Sequence, residues 1–387
     1  MKKIVLIMLA LVLALSCFTM AMAEDLPVVK IGVFEPASGD SGAGGKQETL
    51  GVQYANATTP TVKVGDQEYR VELVLVDNGS SPDKAPSAAQ NLIAQGVSVV
   101  LGSYGSGVSM AGSTYFADAG IPVIGLTCTN PQVTINNPHY FRVCFTDPFQ
   151  GPALASIASG MLGAKTVYCL GEAGNEYDQG LIANFKEPFE AQGGTTIVDS
   201  FPTGTSDFTS YLINAQAYGA DLFFCPVSIA YSTQIVAQAD SQGLTVPVLG
   251  GDTLDSNVVA ESGKGKSVAL YITTFYQEGA DENFDNGFKA WLAENPDMMV
   301  NNGGNDMIAG VTCMGYDGYY VALKAIENAG SIDSAAIMAA LPATEIDGVS
   351  GHIAFDENGD AIRTEAYVKK TNNETGNWEF VGIQKVD

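Results

Sequence analysis

Histidine is almost missing from this chain of 387 residues: only His139 and His352 occur, far apart and in no HExxH or similar spacing. That removes the commonest general base and zinc ligand, and both residues read as surface or turn histidines. Basic residues are scarce as well, 18 Lys and Arg against 43 Asp and Glu, for a net charge of −25. So acidic a surface repels nucleic acid and anionic lipid, and excludes both as partners. The six cysteines are Cys17, Cys128, Cys144, Cys169, Cys225 and Cys313, with no CxxC among them. Without the first, an odd number remains, which is neither a disulfide framework nor a zinc site. Cys144, Cys169 and Cys225 sit inside apolar runs, where a thiol behaves as a small buried hydrophobe. Hydrophobic residues make up 46% and charged residues 16%, which excludes a disordered chain.

Catalytic motifs are also wanting. The glycine-rich stretch Ser38–Gln47 resembles a phosphate loop, but Asp40 stands where the first glycine is needed and Gln47 replaces the magnesium-binding hydroxyl. Gly105-Ser106-Gly107 is too short for a nucleophile elbow. Asp281 and Glu282 lie in a charged, solvated stretch, and Asp77-Asn78-Gly79 reads as a turn. No enzyme activity, cofactor or metal is expected.

What is present begins with an export leader. Lys2 and Lys3 precede the apolar run Ile4–Leu15, and Ala21-Met22-Ala23 offers small residues to a signal peptidase. The run is short of the ~20 residues that span a bilayer, and no later segment approaches that length. Cleavage after Ala23 removes two lysines and no acid, taking the charge from −25 to −27. Ala14-Leu15-Ser16-Cys17 loosely resembles a lipoprotein box, so a lipid anchor at Cys17 is the alternative. Either route places the protein outside the cytoplasm, periplasmic or extracellular.

Short apolar runs then alternate with helix-length segments. The runs are Val28–Phe34, Val71–Val76, Val97–Leu101, Pro122–Leu126, Thr166–Leu170, Leu222–Val227, Val246–Leu249 and Val268–Phe275. Most are continuously apolar, as suits strands buried on both faces of a parallel sheet. Amphipathic stretches at Asn91–Gln95, Gln150–Leu162, Tyr177–Ala191, Phe208–Tyr218 and Tyr231–Gln242 separate them, and Asn283–Ala293 and Tyr316–Ala329 follow. This order predicts α/β architecture with two doubly wound parallel sheets. Strands at Ile353–Asp356, Ala366–Lys370 and Trp378–Gln384, joined by polar turns, suggest a terminal addition at a sheet edge.

Ligands of open α/β sheets bind beyond the carboxyl ends of strands. Those positions hold Gly102-Ser103-Tyr104-Gly105-Ser106-Gly107, Thr127-Cys128-Thr129-Asn130-Pro131, Glu172 with Asn175-Glu176-Tyr177, and Gly250-Gly251-Asp252-Thr253. Hydroxyls and free amides at a helix start suit a carboxylate, and a strand-end aspartate suits an ammonium. A site made of both would take a zwitterion such as an amino acid. The same residues also read as helix caps and turn hydroxyls, and spacing alone leaves both readings open.

These motifs carry a specific resemblance. Val29-Lys30-Ile31-Gly32-Val33 with Ser38-Gly39, Val100-Leu101-Gly102-Ser103 with Ser106, Ile121-Pro122-Val123-Ile124, Thr127-Cys128-Thr129-Asn130-Pro131, Tyr177-Asp178-Gln179-Gly180, Gly318-Tyr319-Tyr320 and Gly351–Asp360 together resemble the leucine/isoleucine/valine-type solute-binding proteins of ABC importers, the type I periplasmic binding fold. The resemblance spans essentially the whole mature chain. It implies two lobes joined by a three-crossing hinge, 24–146 with 276–349 and 147–275 with 350–387. It implies a monomer that captures a branched-chain or related amino acid and delivers it to membrane permease subunits. Ser106 and Thr127 would hold the carboxylate, Thr129 and Asp252 the ammonium, with Tyr177 contributing from the second lobe. Amides, short-chain or aromatic carboxylic acids, or a sensing role on the same fold, are the alternatives. Two departures stand out. Gly44 falls where the family often has an aromatic residue, and Asn78 and Gly105 cannot form the disulfide found in some members. Tyr104, Phe149 and Tyr231 are candidate pocket walls.

Overall fold

A computed structural model describes residues 26–386; the leader and Cys17 lie outside the described residues. The first sheet consists of β1 (Val28–Glu35), β2 (Thr61–Val64), β3 (Gln67–Asp77), β4 (Val99–Leu101), β5 (Val123–Gly125) and β6 (Tyr140–Arg142), in the order β2-β3-β1-β4-β5-β6. All neighbours are parallel except the β2–β3 hairpin. The second sheet consists of β7 (Thr166–Glu172), β8 (Thr195–Phe201), β9 (Leu222–Phe224), β10 (Val248–Gly250), β11 (Leu270–Thr274), β14 (Glu365–Asn372) and β15 (Asn377–Lys385). Its order is β15-β14-β11-β10-β9-β7-β8, with the two C-terminal strands antiparallel at one edge. A short hairpin pairs β12 (Ile346–Gly348) with β13 (Gly351–Ile353).

The helices are α1 (Gly42–Thr58), α2 (Ala85–Ala94), α3 (Ser106–Asp118), α4 (Asp147–Ser156), α5 (Glu176–Ala191), α6 (Thr209–Ala217), α7 (Ile229–Ser241), α8 (Asn257–Ser262), α9 (Glu282–Glu294), α10 (Pro296–Asn301), α11 (Gly310–Ala329) and α12 (Ser334–Ala340). Each sheet has its own core. Ile31, Val33, Leu101 and Ile124 pack against Met314, Val321 and Ala325 of α11, and each fully buried aliphatic side chain contributes about 1.5–3 kcal/mol. In the second sheet Leu170, Phe223, Val248 and Ile272 pack with Phe201, Phe208 and Ile235.

In the two main sheets three strands fall outside the predicted runs, as does β12 of the short hairpin. β2 and β6 span only four and three residues, and β8 (Thr-Thr-Ile-Val-Asp-Ser-Phe) is an edge strand with several solvent-facing side chains. The glycine-rich stretch is a second departure, because from Gly42 onward it is helix. Its glycines serve close packing rather than phosphate binding. A Cβ on Gly51 would overlap the Thr312 carbonyl of α11, and one on Gly315 would overlap the Glu48 carbonyl of α1. The two helices therefore cross backbone to backbone through reciprocal glycines.

Past residue 349 the chain stays beside the first sheet for a further stretch. β13 pairs with β12, Ile353 and Ala361 join the core of the first sheet, and Asp360 bridges Arg142. The chain commits to the second sheet only with β14.

Candidate functional site

In the first sheet β1 lies between β3 and β4, so the winding direction reverses there; in the second sheet β7 lies between β8 and β9. Loops diverge at such switch points and leave a crevice at the strand carboxyl ends. Here the two crevices face one another across a cleft of about 460 Å³ lined by Tyr104, Ser106, Glu172, Asn175, Tyr177, Ser228 and Thr253. Asn130 Nδ2 donates to the Glu176 carbonyl at 2.8 Å, and the Ala230 N–H to the Asp40 carbonyl at 3.1 Å, so the lobes meet at the rim.

Ser106 opens α3, with Gly105 as the extended residue before it. It is therefore not the cap. Its Oγ accepts from the Asn130 N–H at 3.2 Å, which leaves the hydroxyl hydrogen free to donate. The first N–H groups of α3 have no intrahelical acceptor and point out of its end, the arrangement that favours an anion. Thr127 and Thr129 are buried with hydroxyls that close no hydrogen bond among the described residues.

Asp252 is fully buried at the start of a 3-10 turn, Asp252–Leu254. One carboxylate oxygen is fixed by two donors, Gln150 Nε2 at 2.8 Å and the Tyr177 hydroxyl at 3.0 Å. The other, Oδ2, has no partner among the described residues. Gln150 Nε2 also donates to Thr273 Oγ1 at 2.8 Å, anchoring it to β11. Burial pushes the Asp252 carboxyl up to about 7 against the pull of these donors. Tyr104, from the first lobe, donates its hydroxyl to the Thr253 carbonyl at 2.6 Å.

Among the buried carboxyls that escaped the sequence reading, three bear on the site. Glu48 on α1 is fully buried, raised to about 8 by desolvation, and lies near Thr127 without either oxygen closing a hydrogen bond to it. Asp147, first residue of α4, is raised to about 7 by burial and lies near Thr129 in the same unclosed way. Glu35 ends β1, is raised by burial and by Glu48 beside it, and accepts the Tyr104 N–H at 2.8 Å. Only Glu35 stood at a strand end, where an acid could have been looked for. Glu48 follows directly on the stretch that resembles a phosphate loop, and Asp147 opens the second lobe's first segment.

Arg142 was also missed. Its side chain is fully buried, pairs with Asp360 at 2.6 Å, and donates to the carbonyls of Cys128 at 2.8 Å and Asn130 at 2.6 Å. It braces the loop that carries Thr127 and Thr129.

Other candidates do other work. Phe149 packs on Phe145 beside the first core, and Tyr231 packs on Phe201 while its hydroxyl donates to Glu172 at 3.2 Å. Neither lines the cleft, and Tyr231 meets it only through Glu172. Asp77 is a turn hub, accepting the Ala37 and Gly79 N–H groups and the Ser38 hydroxyl. Asn78 is buried and donates to Ser103 Oγ at 2.9 Å, so a hydrogen bond links the loops after β3 and β4. All five described cysteines are free and buried. The ring of Tyr104 occupies the room beside Gly44: a Cβ there would lie 2.5 Å from the ring.

Two parallel-rich sheets whose switch points oppose one another across a polar cleft define a two-lobed ligand-binding protein. The family model described as periplasmic binding protein matches residues 28–376, and the chain belongs to that family. It is similar to Leu/Ile/Val-binding protein homolog 2 of Brucella abortus, 28% identical over 335 residues that cover 86% of this chain and 87% of the relative. The crystal structure of leucine-binding protein LivK from Thermotoga maritima aligns with a TM-score of 0.81 at 32% identity, covering 92% of this chain and 99% of that one. The branched-chain amino acid transporter substrate-binding protein LivJ of Streptococcus pneumoniae, in complex with isoleucine, aligns with a TM-score of 0.80 at 25% identity, covering 93% and 99%.

Proposed function

We propose that this protein is the extracytoplasmic capture component of an ABC importer and that its ligand is an amino acid, branched-chain or closely related. The observation that carries the reading is the divided Asp252 carboxylate. Gln150 and Tyr177 hold one oxygen and leave the other, fully buried, without a partner among the described residues. A buried carboxylate oxygen without a donor is costly, and an ammonium supplies both charge and hydrogen bonds. The Ser106 hydroxyl, the N-terminus of α3 and the Thr127 hydroxyl would receive the carboxylate, and Thr129 would share the ammonium. The names of the relatives support the same ligand class.

In this reading the protein works by differential binding and makes or breaks no bond of the ligand. Contacts from both lobes favour the closed state, and the membrane permease reads closure. The protein acts as a monomer outside the cytoplasm after cleavage at Ala23 or, in the alternative, lipidation at Cys17.

One observation favours a second ligand class. An Asp252 carboxyl raised to about 7 can remain protonated and donate to the carboxylate of an acid that lacks an ammonium, such as a short-chain or aromatic acid. A thermal-shift panel on Glu24–Asp387, unfolded and refolded to remove co-purified ligand, separates the two. A ligand at ~100 times its Kd adds about 2.7 kcal/mol of stability. A rise with branched-chain or related amino acids is expected; a rise only with carboxylic acids or amides would overturn the amino-acid reading.

A further inference from the structure

Three hydrogen bonds described above cross between the lobes at the cleft, and only one of them is made by a side chain buried deep in it. Asn130 to Glu176 and Ala230 to Asp40 lie at the rim. The Tyr104 hydroxyl instead reaches the Thr253 carbonyl at 2.6 Å with its side chain almost wholly buried. Its ring packs with Ala309 and Val311, just before and at the start of α11. On the opposite side Gly44 clears the space, because any side chain there would run into the ring. The Tyr104 N–H is held by Glu35, which fixes the base of the side chain to the end of β1.

The acceptor is placed with equal care. Thr253 follows Asp252, and its hydroxyl donates to the Tyr177 oxygen at 3.4 Å. One turn of the second lobe therefore presents a carboxylate to the ligand and a carbonyl to the first lobe. We infer that Tyr104 is a closure bolt: it holds the lobes together through Thr253, and the absence of a side chain at Gly44 is what admits it. Its contribution goes to retention of the ligand rather than to recognition of any one group on it. The inference rests on capture between the two lobes, not on the ligand being an amino acid.

Tyr104→Phe removes the hydroxyl and keeps the ring, and Gly44→Ala pushes the ring from its seat. Stopped-flow dissociation is measured for each variant with at least two ligands of different length, taken from whatever compounds raise the melting temperature, amino acids or plain acids. Losing one buried neutral hydrogen bond should speed dissociation by about 2- to 10-fold. The same factor is expected for every ligand, with association changed less than about twofold, and with Gly44→Ala shifting dissociation in the same direction. Unchanged dissociation in Tyr104→Phe overturns the inference. So does a factor that varies strongly with the ligand, since Tyr104 would then be a ligand contact. A melting curve of each ligand-free variant verifies that the fold survives. Because the ligands are chosen by binding and not by class, a failed amino-acid reading leaves this test intact.

Discussion

Raising the pH from about 5 to about 8 should tighten amino-acid binding, because the carboxyl that receives the ammonium must first lose a proton. Asp252 is raised to about 7 by burial, while the ligand's own ammonium and carboxylate do not titrate in this interval. With a midpoint there, about 1% of the side chain is ionised near pH 5 and about 90% near pH 8. If only the ionised form accepts the ammonium, the apparent Kd falls by nearly 100-fold between those limits, and each binding event below pH 7 releases close to one proton. Asp147, at about 7 and near Thr129 on the ammonium side, steepens the dependence, whereas Glu48, at about 8 and near Thr127, repels the ligand carboxylate once ionised and offsets part of the gain toward pH 8. Isothermal titration in two buffers of different ionisation enthalpy counts the protons directly. A flat profile would refute the reasoning. Binding that weakens as the pH rises would do so more sharply, since it is the behaviour of an acid ligand held by a protonated Asp252.

Further outcomes follow from the same geometry. Asp252→Asn should weaken amino-acid binding at least about 10-fold, since truncating one side of a buried charge pair costs ~2–5 kcal/mol; an unchanged Kd by titration would remove Asp252 from the site. Ligand-free stability should fall as the pH rises from about 5 to about 8. Asp147, Asp252 and Glu48 hold protons more tightly in the fold than in the unfolded chain, where they titrate near 4, so folding favours the protonated forms and ionising them in place costs stability. Neither histidine is buried, and a melting temperature that rises over that range would contradict the assignment. Arg142→Met should cost about 3–5 kcal/mol in denaturant unfolding, because Asp360 loses its ion pair and the Thr127–Asn130 loop its brace; a loss below about 1 kcal/mol would show that the loop holds itself. Gly315→Ala should destabilise by at least about 1–3 kcal/mol, since the new methyl meets the Glu48 carbonyl.

The parallel sheets were legible because their strands are buried on both faces and so read as unbroken apolar runs, Leu222–Phe224 and Val99–Leu101 being plain cases. β8 escaped for the converse reason, since an edge strand needs little apolar sequence. The strand-end positions of the candidate residues were legible: Ser106, Thr127, Thr129 and Asp252 all follow a strand directly or within a short loop. Glu48, Asp147 and Gln150 come from helices, and a buried acid on a helix looks in sequence like any solvated one. Only the glycine crossing of α1 with α11 reveals why Glu48 points inward. Arg142 was hidden as well, because its partner Asp360 lies more than two hundred residues away. The hairpin at Ile346–Ile353 carries no apolar signal that assigns it to one lobe.

The central claim is that the cleft recognises a zwitterion, and it is tested most directly by titrating the stripped protein with an amino acid and with its deamino analogue. The pair would be leucine and 4-methylpentanoic acid, or whichever amino acid gives the largest thermal shift and the corresponding acid. Removing the ammonium should weaken binding by at least about 30-fold, the lower end of what an unpaired buried charge costs. Equal or tighter binding of the deamino acid would contradict the claim and turn Asp252 from an ammonium partner into a protonated donor.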